Sequence, residues 1–293
     1  MKQKKKVQHS NRRRQQVRRQ LLLIGCMIFI VICAIGSCQV HKKRSEAKEA
    51  AKIEQQKKEE KREKKEKKKP KKEETPEEHL ERVRTQAISA GYPDGVIELL
   101  DKNPETVDFV ENYPKKKDSE PAETIGDSLQ PGSIPLLLQW DERWGYSTYG
   151  TSIIAISGCG PTCMAMVASG LNQDPSITPA KVAFFGTQHS YVDEENNTYW
   201  SFMREAGASW NLSCYEGLLN ETQVSAELSA GHPIICSVGP GNFTQIGHFI
   251  VLTGYENGNV TVNDPFSKAN SETLWNFSQI KDQIRAMWIY SLK

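Results

Sequence analysis

Cys159 lies in the run Ser157-Gly158-Cys159-Gly160-Pro161-Thr162-Cys163, a frame that suits a thiol able to attack a carbonyl. Two glycines bracket it, which lets the backbone turn tightly and a substrate come close. Pro161 is favoured in the first turn of a helix, and Cys163, Val167, Gly170 and Leu171 follow at helical spacing with one face to bury. Cys159 is therefore expected at a helix amino terminus, where the helix dipole and free N–H groups favour thiolate over thiol. Thiolate is the nucleophilic form. Cys163, one turn further on, reads as a small buried core residue.

A thiol nucleophile needs a base to take its proton and a third group to orient that base. His248 opens the apolar run Phe249-Ile250-Val251-Leu252, and Asp264 ends the run Asn259-Val260-Thr261-Val262-Asn263. Between the runs, Glu256-Asn257-Gly258 reads as the turn of a β-hairpin. A three-residue loop with Gly258 left-handed puts Asp264 opposite Ile250, diagonal to His248 and within side-chain reach. A two-residue Asn257-Gly258 turn would put the two on opposite faces. His189, in a polar stretch, and His232, before Pro233, have no strand-borne carboxylate and read as structural. The backbone N–H of Cys159 is the natural first oxyanion donor. Gln139 is a candidate for the second, or a structural contact. Cys159, Cys163, Cys236 and His248 are a conceivable zinc set, but Cys-x3-Cys without a second close pair is a poor match to zinc spacing. The chemistry requires neither metal nor cofactor.

The elements that must position these residues occupy one part of the chain. All six tryptophans lie beyond Ile134, and apolar residues concentrate in 131–293, enough for one compact domain. Ahead of it, residues 1–20 carry nine Lys/Arg and no acid. Residues 21–40 then run without a charge, long enough to cross a bilayer core of about 30 Å. The basic flank predicts that 1–20 stay inside and 41–293 lie outside a bacterial cell. Ile35-Gly36-Ser37-Cys38 also has the form of a lipoprotein processing site, which would anchor the chain at Cys38 instead. Residues 41–78 hold 16 Lys/Arg against 11 acids, a solvated stalk with no apolar stripe, expected to end at Pro70 and Pro76. That balance, and a net charge of only +2, argue against a nucleic-acid partner. Residues 79–130 read as a helical spacer and linker, with helices over 79–89, 95–101 and 104–112, whose Leu99, Leu100, Val107, Phe109 and Val110 could alternatively pack as a small helical cap against the main domain.

These residues resemble the bacteriocin-processing (double-glycine) peptidases, in particular their free-standing papain-like relatives. The resemblance rests on Gln139-Trp140-Asp141 with Arg143-Trp144, Ser157–Thr162, Ala230-Gly231-His232-Pro233-Ile234, Gly247–Leu252 and Asn263-Asp264-Pro265. It implies an α+β papain-like fold, a cysteine-bearing helix packed on an antiparallel sheet. It also implies Cys159 as nucleophile, His248 as base and Asp264 as the group that orients it. Leader-cleaving members place the oxyanion glutamine six residues before the cysteine, where this chain has Ile153, and they are fused to a transporter that this chain does not carry. Leader cleavage is thus not implied. The expectation is a thiol hydrolase of peptide or amide bonds, acting on a peptide or protein and possibly on cell-wall peptide. The rivals are a dedicated cell-wall hydrolase, whose third residue is often a second histidine, and a silent module that holds a peptide or glycan.

Overall fold

The computed structural model describes residues 74–293 and, ahead of them, Gly25, Met27, Lys52, Glu54, Gln55, Lys57 and Lys58. Those seven are helical and exposed. Lys58 Nζ lies 3.1 Å from a Glu54 carboxylate oxygen, an i,i+4 pair of the kind the 41–78 stalk was expected to make. The rest of the expected anchor at 21–40 lies outside the described residues. Among the described residues, no helix is long and apolar enough to cross a membrane.

Pro76 begins a helix where the sequence suggested an end. It occupies the first turn of α1 (Pro76–Ser89), where a missing N–H costs nothing. Thr75 and Glu78 exchange backbone and side-chain hydrogen bonds as a capping box. Next come α2 (Asp94–Lys102) and, after a 3-10 turn at Pro104–Thr106, α3 (Val107–Lys116). Val83, Ala87, Val96, Leu99, Leu100, Phe109 and Val110 are buried with Trp140, Tyr146 and Ala155 in a single apolar cluster. Each large side chain so buried contributes about 1.5–3 kcal/mol. Residues 79–116 therefore pack as a helical cap within the compact unit Glu74–Lys293, the alternative that the apolar faces of these helices offered.

The short strands β1 (Thr148–Tyr149) and β2 (Ser152–Ile153) pair with each other. After them come α4 (Ile154–Ser157), α5 (Cys159–Asn172), α6 (Pro179–Gln188) and α7 (Trp200–Glu205). The remaining elements are β3 (Leu212–Glu216), α8 (Glu221–Ser229), β4 (Ile234–Val238), β5 (His248–Glu256), β6 (Asn259–Asn263), α9 (Lys268–Glu272), β7 (Trp275–Asn276), α10 (Phe277–Ile280) and β8 (Ile284–Leu292). Six strands form one antiparallel sheet in the order β3-β8-β4-β5-β6-β7. Every residue of β4 is buried, because both faces of the sheet are covered. Ile235 joins Met164, Val167, Val251 and Trp288 in the core under α5. Ile234, Cys236 and Val238 join Val224 and Leu228 of α8 on the other side. The expected α+β architecture, with the cysteine-bearing helix on an antiparallel sheet, is what the chain forms.

The hairpin between β5 and β6 reaches the expected register by an unexpected route. Its turn has two residues, Asn257 and Gly258, both with positive φ (50° and 82°), as a twist-matched hairpin turn requires. Glu256 pairs with Asn259, Tyr255 with Val260 and Gly254 with Thr261, but Leu252 then pairs with Val262 and Val251 with Asn263. Thr253 is the extra residue of a β-bulge. A bulge shifts the pairing by one, which undoes the face change that the two-residue turn alone would impose.

Candidate active site

Cys159 is the first residue of α5, with Gly158 as its N-cap. Gly158 has φ −88°, and neither bracketing glycine is in the left-handed region. Space is what they supply, in place of the expected backbone freedom. A Cβ at Gly158 would fall 2.5 Å from Ile154 Cγ2, and one at Gly160 would fall 2.5 Å from Thr198 Oγ1. The start of α5 is pressed against its neighbours on both flanks. Cys163 is fully buried, and burial pushes its thiol well above the usual range, as suits a core residue.

His248 Nε2 lies 2.8 Å from Asp264 Oδ1. With Nε2 engaged by Asp264, Nδ1 is the ring nitrogen left for another partner, and Cys159 is among the groups that act electrostatically on the imidazole. Asp264 is fully buried and ringed by donors. Phe266 N–H donates to Oδ1 at 2.8 Å, Asn270 Nδ2 donates to Oδ2 at 2.7 Å, and Ser271 Oγ accepts from the Asp264 N–H at 2.9 Å. Burial pulls the His248 imidazole down. The charge and hydrogen bond of Asp264, joined by a contribution from Cys159, outweigh it and hold His248 above its usual range. Burial likewise pushes the Asp264 carboxyl up, but His248, Asn270 and the Phe266 N–H bring it below the usual carboxylate range. The two shifts describe one ion pair: a buried carboxylate favouring an imidazolium beside a thiol.

Gln139 is buried. Its Nε2 donates to the Ala155 carbonyl of α4 at 2.9 Å, and its backbone N–H donates to the Pro265 carbonyl at 2.7 Å. It thereby ties the segment after Asp264 to the turn of helix that leads into Cys159. Its Oε1 is buried without a hydrogen-bond partner. One of its amide N–H groups is already engaged, so only the second is free to act as a donor. His189 bonds to the Phe185 carbonyl at 2.9 Å and stacks on the Phe185 ring, and His232 pairs with Glu227 at 2.8 Å. Cys159, Cys163, Cys214 and Cys236 are free thiols. The conceivable zinc set does not converge: among the described residues, the ligand-type side chains that cluster are His79, Asp108 and Glu111.

Asn270 and Ser271 carry no sign of this role in the sequence, although both lie within seven residues of Asp264. A polar turn after a strand carries no periodic signal, and only the one-turn helix α9 folds these two back onto the carboxylate.

The sequence matches the Peptidase_C39 like family over residues 132–292. The chain belongs to that family. A member of the Peptidase_C39 like family is a cysteine peptidase-type hydrolase, whose substrate is a peptide or protein. Among solved structures, the chain is similar to the peptidase domain of Streptococcus ComA, a bifunctional ABC transporter involved in a quorum-sensing pathway. Identity is 18% and the TM-score 0.37, over 47% of this chain and 93% of that one. A protein of Bacillus anthracis described as a C39-like peptidase matches at 14% identity and TM-score 0.38, over 56% and 98% of the two chains. No curated protein matches the sequence. The C39-like region begins at residue 132, so the cap formed by α1, α2 and α3 lies ahead of it.

Proposed function

We propose that Cys159, His248 and Asp264 act as a catalytic triad that hydrolyses peptide bonds through an acyl-enzyme. The observation that carries this reading is the 2.8 Å bond between His248 and the fully buried Asp264, with Cys159 among the groups that act on the same imidazole. In the first step His248 Nδ1 takes the thiol proton, and the sulfur attacks the carbonyl carbon. The tetrahedral intermediate collapses as His248 returns that proton to the departing amine, leaving a thioester on Cys159. Water, deprotonated by His248, then attacks the thioester, and Cys159 leaves as the thiol. The Cys159 N–H, at the start of α5, is the natural first donor to the developing oxyanion, with Gln139 as the second candidate. The purified chain, incubated with a peptide library and with cell-wall peptide fragments, should cleave at least one of them, and Cys159→Ala should cleave none. Binding of the same fragments without cleavage would instead make the domain a silent recognition module.

We also propose that residues 21–40 hold the enzyme on the outer face of a cell membrane. This rests on the charge-free run and its basic flank. Protease added to intact protoplasts should remove residues 74–293 and spare 1–20. Protection of the hydrolase domain would reverse the orientation, and a mature amino terminus at Cys38 would replace the spanning anchor by a lipid.

A further inference from the structure

We propose that Glu105, assisted by Asn103, is a positioning residue for Asp264, so that the amino-terminal cap completes the catalytic site. The inference rests on the triad reading above and adds a part of the chain that lies outside the C39-like region.

Asp264 is held by one short loop. Asn270, on α9, donates to its Oδ2, and Ser271 accepts from its backbone N–H. A helix of one turn has little stability of its own, and its first N–H groups have no acceptors inside the helix. Ser267 caps one of them, the Asn270 N–H, at 3.1 Å. The cap supplies the acceptors for the others. Glu105 Oε2 accepts from the Lys268 N–H at 2.8 Å, and Glu105 Oε1 accepts from the Ala269 N–H at 3.0 Å. These are charge-assisted bonds at the positive end of the helix, the stronger kind. Asn103 is buried, and its Nδ2 donates to the Phe266 carbonyl at 2.5 Å, beside the Trp140 Nε1 that donates to the same oxygen at 2.8 Å. The Phe266 N–H in turn donates to Asp264 Oδ1. Asn103 Oδ1 accepts from the Glu105 N–H at 3.0 Å, and its Nδ2 also donates to Glu105 Oε2 at 3.3 Å, which helps to direct the carboxylate. The cap therefore fixes the Asp264 loop at both of its contact points, the Phe266 peptide and α9. Each contact crosses more than 160 positions of sequence.

Glu105 touches neither His248 nor Cys159 in this arrangement, so its effect must pass through Asp264. The groups that set the His248 proton affinity are Asp264 and Cys159, and those that set Asp264 are His248, Asn270 and Phe266. Freeing the loop should weaken the His248–Asp264 bond and lower the pH at which His248 titrates.

The test uses the full chain in detergent and compares Glu105→Ala and Glu105→Gln with the parent. One readout is the His248 titration midpoint, followed by NMR of labelled imidazole. The other is the rate at which iodoacetamide alkylates Cys159 at pH 7, read on the Cys159 peptide by mass spectrometry. Glu105→Ala should lower the midpoint by about one unit, which corresponds to tenfold in the protonation equilibrium, and slow alkylation several-fold. Glu105→Gln keeps the shape and one acceptor oxygen, but loses the charge and sets its NH2 group against the other backbone N–H. It should shift the midpoint the same way by less, and it decides the matter if the alanine variant does not fold. A parental midpoint and rate in folded Glu105→Gln and Glu105→Ala would overturn the proposal. A lower melting temperature with a parental midpoint would also overturn it, because a merely structural contact behaves that way. Asp264→Asn, measured alongside, separates the two readings. If it too leaves midpoint and rate unchanged, the triad itself is what fails. If it changes both while the Glu105 variants do not, only the role of the cap fails.

Discussion

His248→Ala should slow alkylation of Cys159 by iodoacetamide at pH 7 by about 10²-fold or more, the usual contribution of a positioned base. The chain should stay folded, since the imidazole lies at the beginning of β5 and the cores on either side of the sheet do not include it. Two effects combine. The thiol loses the group that accepts its proton, and the thiolate loses the imidazolium beside it. Asp264 is then left buried and charged, with Asn270 and the Phe266 N–H as its remaining donors. The pH dependence has a definite sign. His248 titrates above its unfolded value, which is near 6.5, so it contributes stability that is fully present below about pH 6.5. That contribution is lost as pH rises through the raised folded value. The stability gap between the parent and His248→Ala should therefore be largest in mildly acidic solution and close on the alkaline side. Thermal melts across that range read it directly. Labelling of Cys159 at the parental rate in His248→Ala would remove His248 from the mechanism.

How far the site was legible in the sequence depends on how far apart its parts lie along the chain. The α5 start at Cys159 was readable because glycine, proline and the apolar spacing act over a few residues. The pairing of His248 with Asp264 was readable as a register argument, but its cause was not. The sequence allowed a three-residue loop, whereas the chain uses a two-residue turn and a bulge at Thr253. Both give the same final register, since each adds one residue to the β5 side. The glycines around Cys159 are visible in the sequence, but the packing that requires them is not. Their need comes from Ile154 and Thr198, and Thr198 is too distant in sequence for any local rule to find. The cap was legible only as one of two alternatives, for a related reason. Leu99, Leu100, Phe109 and Val110 look like the faces of modest helices, and nothing nearby says that Trp140 and Tyr146 will cover them. Glu105 lay beyond reach altogether, because an exposed-looking acid in a Pro-Glu-Thr turn has no signature for partners at 268 and 269. Gln139 stands between these cases. Its type and neighbourhood marked it, yet only the fold reveals that it ties Pro265 to Ala155.

Asp264→Asn should lower peptide hydrolysis by about 10² to 10⁴-fold while the protein stays folded, the scale seen when an orienting carboxylate loses its charge. The reason lies in the donors around it. His248 Nε2, the Phe266 N–H and Asn270 Nδ2 all point hydrogens at this carboxylate, and it has acceptor sites for all three. Asparagine has one acceptor oxygen and one donor group. If its oxygen faces His248 and Phe266, its amide faces Asn270, which can rotate to present its own oxygen. The shape then survives, and only the charge that stabilises the imidazolium is lost. If the amide faces His248 instead, the ring must accept at Nε2. Its proton then moves to Nδ1, the nitrogen that has to receive the Cys159 proton, and the base is blocked. Either arrangement costs activity. Asp264→Ala leaves all three donors facing a void, and each buried donor left unpaired costs about 1–3 kcal/mol. It should be at least as inactive and also melt several degrees lower. The carboxylate's own titration gives a check on stability. Its folded pKa is depressed, so the advantage of the parent over Asp264→Asn should be level above about pH 4, the unfolded value. It should shrink as pH falls through the lower folded one. Were Asp264 only a turn residue, accepting the Phe266 N–H after a strand, asparagine would serve as well. Full activity with normal melting in Asp264→Asn would reduce the site to a Cys159–His248 dyad.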